Sequence, residues 1–563
     1  MNFDLRQVPF SRFGSYFAFS IMEGRGADGK GLYLRTVRGD AREKEIFLIE
    51  TVYDGKTVPY TIKAVPELLK LETSYGDIDI CISEASAIRV RGKGAGIRLS
   101  TGRPGAFGLV MQGESNTWQY NSTSINFKLL LNPHRGSCSV DAPWEGIECR
   151  RISADFLPEK NSTEFECIIE EFESSWKSTP NIGEFDNCVN KVRDEFGTWL
   201  EKTLPVPGEF DAARELAAYI NWSSAVGVFG NFSRPSMLMS KNWMTNVWSW
   251  DHCFNAMGLL KDIDMAWDQI MTVFDHQDYY GALPDTINNA NKSFCFCKPP
   301  IHGWALNWLM ENSGKITEEH LQEVYEPLCK WTKWWFCYRD TDGDGIPEYN
   351  HGNDSGWDNS TVFKEGIPIE SPDLCAFLVI QTETLSKIAS ILNKPEEQRE
   401  WERQSKNLLE RLIKEFWIGQ KFAARHTKSH EKIESDSLLT YIPIILGKRL
   451  PENILSSMIT DLKKEGRFLT AFGFATESVD SPLYQADGYW RGPIWAPSTM
   501  IIIDGLLQAG ETEFAKQIAR RFCEMAAKSG MAENFDAISG ESLRDKAYTW
   551  TSSVFLILAG RYI

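Results

Sequence analysis

The chain has 563 residues, 42% of them hydrophobic and 24% charged, with a net charge of −17; that is enough chain for two or more domains around a large core, and an acidic balance that excludes nucleic acid and an anionic membrane surface as expected partners. No apolar run of about 18 residues is read, so no bilayer span is expected, and "MNFDLRQVPFSRFGSYFAFS" joins no basic start to an apolar stretch, so no signal peptide is expected. Twelve Cys without a repeating spacing are sparse for a disulfide scaffold and point to reduced thiols in a cytoplasmic protein.

The first third reads as β. In "SYGDIDICI" Ile78, Ile80 and Ile82 alternate with Asp77, Asp79 and Cys81, and in "AIRVRG" Ile88 and Val90 face away from Arg89 and Arg91. "KGLYLRTVRG", "EIFLIETVY" and "TEFECIIEEFES" are further strand candidates. Short strands with Gly- and Asp-rich turns predict an antiparallel β-sandwich over residues 1–183. Helical spacing begins near residue 184 with "FDNCVNKVRDEFGTWLEKTL", and a helical linker is assigned to 184–209. After a Pro-Gly break the helical pattern continues to the end, through "EEHLQEVYEPLCKWTKWWFCYR", "DLCAFLVIQTETLSKIASILN", "PEEQREWERQSKNLLERLIKEFWI" and "TWTSSVFLILAGRYI". Residues 210–563 hold roughly a dozen helices at common helix and loop lengths. A closed ring of six helical hairpins fits that count, and so does an open solenoid, although no fixed-period repeat favours the latter.

The loops between these helices share a chemistry. "NVWSWDHCFNAMG" joins Trp250 to Asp251 at a helix start, and "KPPIHGWALNW" carries His302 and Trp304. "DGDGIPEYNHGNDSGWDNS" sets Asp354, Trp357 and Asp358 among Gly, Ser and Asn, "DGYWRGPIWAP" holds Trp490, Arg491 and Trp495, and "MAENFDAISGES" holds Glu533. Each stretch has a plain reading: Asp251 as a helix N-cap, Trp250 as core, His302 as a satisfied buried His, and Trp490 with Arg491 as a stacked pair. Their joint recurrence points elsewhere. In a helical ring, loops at one end converge on one mouth, where Trp faces suit sugar rings and carboxylates suit hydroxyls. "CFC" at Cys295–Cys297 lacks His or Cys partners at zinc spacing and reads as packing. Asp340, Asp342 and Asp344 before Gly345 match the start of an EF-hand loop, but His351 stands where the bidentate Glu belongs. A smaller structural Ca²⁺ site and a hydrogen-bonded Asp/Gly turn are both open; no cofactor is required by the chemistry.

Together, "WSWDHCFNAMG", "KPPIHGW", "DGDGIPEYNHGNDSGWDNS", "SPDLCAFL", "DGYWRGPIWAP" and "ENFDAISGE", over about residues 240–545, resemble glycoside hydrolase family 63. That group contains processing α-glucosidases, bacterial α-glucosidases and mannosylglycerate or glucosylglycerate hydrolases, and is distantly related to trehalases. The resemblance implies a mainly α fold, an (α/α)6 barrel, often behind a β-sandwich. It also implies an inverting mechanism with the Asp of Ser-Gly-Trp-Asp as general acid, here Asp358, and Glu533 as general base. Position 354 is Asp where relatives often have Glu, and Ala532 stands where an aromatic is common, which bears on substrate identity. The trehalase signature Pro-Gly-Gly-Arg-Phe is absent.

Inverting hydrolysis needs a protonated carboxyl for the leaving oxygen and an ionised one for water, about 6.5–9.5 Å apart. Burial beside Trp357 is expected to raise the Asp358 pKa, while Glu533, flanked by Asn534 and Asp536, is expected to ionise readily. Trp250, Trp304, Trp357, Trp490 and Trp495 are candidate sugar contacts; Asp251, His302 and Asp354 are candidate hydroxyl ligands; and Arg491 is expected to hold a hydroxyl or orient Glu533. The expected activity is exo-cleavage of a terminal α-linked glucose or related sugar from a small oligosaccharide or glycoside. A glycoside phosphorylase and a non-catalytic sugar-binding protein are the alternatives.

Overall fold

The computed structural model describes the chain except residues 25–28, 40–44, 124–126 and 177–182. The N-terminal part is two antiparallel sheets. One runs Phe17–Glu23, Lys30–Thr36, Glu45–Tyr53, Gly96–Thr101, Ile152–Leu157, Ser137–Asp141, with Lys56–Val58 added on Glu45–Tyr53. The other runs Leu109–Gln112, Trp118–Ser122, Phe127–Arg135, Glu164–Phe172, Ala87–Lys93, Asp77–Glu84, Leu68–Thr73, Tyr60–Val65. Their facing side chains make one core, with Phe19, Leu34, Phe47 and Leu99 from the first sheet and Ile78, Ile80, Ile82, Ile88, Val90 and Leu131 from the second. The alternation read from the sequence thus selects the inward face. The opposite face of the second sheet is not left to water. Cys81 and Arg89 are buried there, Arg89 against Glu166, with Cys81 in the apolar cluster of the helical part. The cover is the first helix, which packs on Asp77–Glu84.

That helix, α1 (Phe185–Lys202), is followed by α2 (Asp211–Ser224), α3 (Asp251–Gly258), α4 (Ile263–Phe274), α5 (His302–Ser313), α6 (Glu318–Tyr338), α7 (Pro372–Ile391), α8 (Pro395–Phe416), a broken 3-10 segment (Leu438–Arg449), α9 (Glu452–Leu462), α10 (Ala496–Ala509), α11 (Thr512–Ser529) and α12 (Thr549–Arg561). Local chemistry sets several ends. Pro lies in the first turn of α7, α8 and α10, where its missing N–H costs nothing. Thr317 and His320 form a capping box on α6. Gly314 and Gly510 close α5 and α10 at φ 61° and 91°.

Burial sorts the helices into two layers. α3, α5, α7, α10 and α12 are buried on nearly every side, whereas α8 buries only Trp401, Ser405, Leu408, Leu412 and Phe416, one stripe along an otherwise charged helix. The inner contacts run in a cycle. α3 packs on α5, α5 on α7, α7 on Leu438–Arg449, that segment on α10, α10 on α12, and α12 back on α3. α4, α6, α8, α9, α11 and α2 pack outside them. One sequence expectation changes here: α7, with mean hydropathy 1.3, is long and apolar enough to cross a membrane by length and composition. It is instead enclosed by α5, α6, α8 and Leu438–Arg449, and carries a buried Asp373.

The two parts are tied by buried polar bonds. Lys241 Nζ donates to Ser15 O (2.6 Å) and Ser11 Oγ (3.0 Å), and Tyr219 Oη donates to Pro9 O (3.0 Å). Among the described residues all twelve Cys are free.

Candidate active site

The segments that lead into the inner helices converge at one end. Asp251 opens α3, Trp495 precedes α10 and Tyr548 precedes α12. Between them is a cavity of about 230 Å³. Its aromatic walls are Trp248, Trp250, Tyr489, Trp490, Tyr548 and Trp550, and its polar groups are Asp251, Asp285, Lys298, Asn353 and Asp358. A second cavity, of about 610 Å³, adjoins it, bordered by His351, Thr361, Phe363, Lys364, Leu483 and Arg491. Asp358 borders both.

The Ser-Gly-Trp-Asp turn is built for this position. Gly356 adopts φ 73°, and a Cβ there would lie 2.6 Å from the Trp250 ring, so only Gly admits the tryptophan. Trp357 N donates to Ser355 Oγ (3.1 Å), fixing the turn. Asn359 then docks it on the next motif: its Nδ2 donates to Gly488 O (3.0 Å) and its Oδ1 accepts from Trp490 N (2.9 Å). Behind this seam Trp490 stacks on Trp495 at 3.9 Å and 8°, and Trp357 lies 4.8 Å from Trp490. Tyr489 holds φ 64°, an unusual conformation for a bulky residue.

Burial raises every carboxyl of the site. Asp251 is pushed up to about 8, with Asp285 and Asp358 adding repulsion against the pull of Lys298. Asp358 is raised by burial in spite of Lys298 nearby. Glu533 is pushed up to about 7, first by burial and then by Asp545, which corrects the expectation of easy ionisation. Its flanking polar residues look elsewhere: Asn534 accepts from Arg544, and Asp536 caps its own turn at Ile538 and Ser539. Glu533 is buried and lines neither cavity; burial first, and then nearby carboxylates including Glu533, raise the Tyr489 and Tyr548 hydroxyls. Asp285 Oδ1 lies 3.3 Å from Lys298 Nζ, whereas Asp251 Oδ2 and Glu533 Oε1 are buried acceptors without a hydrogen bond. Sugar hydroxyls are donors that would satisfy them.

The structure therefore brings together Trp250, Asp251, Asp358 and Trp490 in one cavity, with Glu533 buried within electrostatic reach of Asp358 and Arg491 in the adjoining cavity. Arg491 is on the Asp358 side; the cation acting on Glu533 is Arg544. The other candidates support the fold around the site. His302 is fully buried among the rings of His252, Phe274 and Trp331, and burial keeps it neutral. Trp304 donates to buried Asp504 (2.8 Å). Trp357 and Trp495 support Trp490 from behind. Asp354 has both oxygens occupied: Oδ1 accepts from Cys297 N (3.1 Å), and Oδ2 from Asn350 N (2.9 Å) and Arg339 (3.0 Å). Sequence reasoning does not reach Asp285, Lys298, Asn353, Tyr489, Tyr548 or Trp550. A lone Lys before Pro-Pro among acidic loops is the available signal for Lys298.

The Asp340–Glu348 loop is a hydrogen-bonded turn, with Gly345 N on Asp340 Oδ2 (3.0 Å), Ile346 N on Asp344 Oδ1 (2.9 Å) and Thr341 N on Glu348 Oε2 (3.2 Å). Asp344 also pairs with Arg425, and Asp342 with His430. Asp340 Oδ1, Glu348 Oε1 and Glu370 Oε1 are buried without a partner, and Asp340 is raised by burial and then by repulsion from Asp344 and Asp342. Such oxygens suit a hard divalent cation.

Residues 244–551, more than half of the chain, match the model of the mannosylglycerate hydrolase MGH1-like glycoside hydrolase domain. The mannosylglycerate hydrolase of Rubrobacter radiotolerans is 20% identical over 452 residues, 63% of this chain and 98% of its own. The glycoside hydrolase family 63 mannosylglycerate hydrolase from Thermus thermophilus, solved with glucose, has a TM-score of 0.54 at 17% identity, over 61% of this chain and 98% of that one. A bacterial glucoamylase complexed with acarbose has a TM-score of 0.65 at 12% identity and covers 99% of this chain and 93% of its own, so its likeness takes in the β part as well. Family match and site together define an enzyme that hydrolyses glycosidic bonds. The chain belongs to glycoside hydrolase family 63, in its mannosylglycerate hydrolase MGH1-like group.

Proposed function

We propose that the protein is an exo-acting, inverting glycoside hydrolase on an (α/α)6 barrel, removing a terminal α-linked glucose or related sugar from a small glycoside. The observation that carries this reading is the place of Asp358, on the wall shared by a small inner cavity and a larger outer one. The inner cavity, about 230 Å³, lies below the roughly 300–1,000 Å³ of common ligand clefts, which suits a single sugar ring. A glycosidic oxygen at the junction would face Asp358.

In the reaction Asp358 gives its proton to the leaving oxygen as the bond from the anomeric carbon breaks. A water on the opposite face bonds to that carbon and passes its proton to Glu533. The rings of Trp250, Trp490 and Trp550 pack the sugar faces, and Asp251 and Asp285 accept its hydroxyls. The leaving group occupies the outer cavity, where Lys364 is already paired with Glu365 and Arg491 is the cation left to meet an acidic aglycone such as the glycerate in its relatives' names. A structural Ca²⁺ held by Asp340, Asp342 and Asp344 would brace the loop that precedes the acid; Asp342, Asp344, Glu370 and His430 bring their ligand atoms within 4.8 Å of one another there.

The test is a screen of purified protein against α-linked disaccharides and glycosylglycerates, without phosphate, followed by proton NMR of early turnover. The expected result is phosphate-independent release of the β-anomer from an α-glycoside. First release of the α-anomer contradicts inversion, and strict phosphate dependence contradicts hydrolysis.

A further inference from the structure

We propose that Lys298, held against Asp285, is a positioning residue that fixes the Asp358 carboxyl and governs the proton it carries. The consequence for activity rests on the reading of Asp358 as the general acid; the charge coupling itself does not.

Lys298 is 5% exposed in the cavity wall. Its ammonium donates to Asn353 O (2.7 Å), lies 3.3 Å from Asp285 Oδ1 and 4.0 Å from Asp358 Oδ1. Asn353 links the two ends of this contact. Its backbone oxygen anchors the ammonium, while its side-chain amide, turned with nitrogen toward Asp358, donates to Oδ1 (2.7 Å) and Oδ2 (3.0 Å). Turned the other way, the same amide presents an oxygen that accepts from a protonated Asp358. Asn353 therefore serves both states of the acid, and it does not choose between them.

The choice falls to the charges around it. Asp358 is faced by Asp251 from α3, by Asp285 and Lys298 from the segment before α5, and by His351 from its own loop. Tyr489 and Arg491 face it from residues 484–495, and Glu533 from the segment before α12. Burial favours the neutral acid, and Lys298 is the strongest opposing influence. Asp285 works the other way twice: it repels the Asp358 carboxylate, and it draws the ammonium toward itself at 3.3 Å against 4.0 Å. The pair is thus a divided cation, and its division sets how firmly Asp358 keeps its proton. A lysine fully committed to Asp358 would ionise the acid and disable it near neutral pH.

The two partners must therefore shift the acid in opposite directions. Activity requires protonated Asp358, so the alkaline limb of kcat/KM reports it in the free enzyme. Lys298→Met removes the cation and should move that limb up by about one pH unit or more, the effect of an opposite charge within reach. Asp285→Asn removes the repulsion and releases Lys298, and should move the limb down. A residue that only packs would move both variants the same way or not at all. The Asp358 carboxyl is followed in parallel by infrared difference spectra between each protein and the same protein carrying Asp358→Asn. Opposite shifts of that carboxyl support the coupling. If the carboxyl shifts as expected but the limb stays put, the coupling stands and Asp358 is not the general acid. An unmoved carboxyl, or shifts of the same sign in both variants, overturns the inference. Where Lys298→Met fails to fold, Asp285→Asn decides alone, and an upward shift or none overturns it.

Discussion

Glu533→Gln should remove activity and stabilise the protein, and the size of the second effect follows from the structure. Burial, reinforced by Asp545, carries the Glu533 carboxyl from an ordinary 4.5 up to about 7. A carboxyl raised in the folded state costs nothing while protonated in both states. Stability is lost as pH climbs from the unfolded value through the folded one, and the loss is constant above it. At about 1.4 kcal/mol per pH unit of difference, ionised Glu533 costs about 3 kcal/mol above neutrality. Glutamine keeps the shape and carries no charge, so its advantage is small near pH 5 and near full size at pH 8. In a chain of this length that corresponds to a rise in Tm of a few degrees at most, since sensitivity to a given free energy falls with size. Thermal unfolding of wild type and Glu533→Gln at pH 5 and pH 8 measures it, with turnover expected to fall about 10²–10⁴-fold. A Tm at pH 8 equal to or below wild type would contradict this, because it would mean the Glu533 carboxylate is adequately solvated or paired.

Asp354→Asn should act on stability rather than on KM: it breaks a buried pair with Arg339, 1% exposed on the acid side, a loss of about 3–5 kcal/mol seen in a lowered Tm. An unchanged Tm with a raised KM would return Asp354 to the sugar. Chelator treatment should lower Tm before it affects turnover at low temperature, because the Asp340–Glu348 loop lies outside both cavities. Unchanged melting and no metal by elemental analysis would remove the Ca²⁺ proposal.

The architecture was legible where one physical rule dominates. Period-two alternation picked out Ile78, Ile80 and Ile82, and helical spacing in "PEEQREWERQSKNLLERLIKEFWI" picked out α8. The outer face of the second sheet was not legible, because Cys81 and Arg89 look solvent-facing until α1 covers them. Trp250, Asp251, Asp358 and Trp490 line one cavity because aromatic and acidic residues recur in loops that converge. The same rule over-reached at Trp304 and Asp354, since a Trp or Asp in a loop motif can equally turn inward to brace the motif. It under-reached at Lys298, Asp285 and Tyr548, whose roles come from distances between segments far apart in the chain. The expectation for Glu533 failed for the same reason: polar sequence neighbours do not solvate a side chain when their own bonds point away.

The division of labour between Asp358 and Glu533 is decided by comparing Asp358→Asn and Glu533→Gln on a glycoside substrate and on the matching glycosyl fluoride, whose leaving group departs without a proton. Both variants should lose about 10²–10⁴-fold on the glycoside, and Asp358→Asn alone should recover much of its turnover on the fluoride. Recovery in Glu533→Gln instead, or near-normal glycoside turnover in either variant, would contradict the assignment.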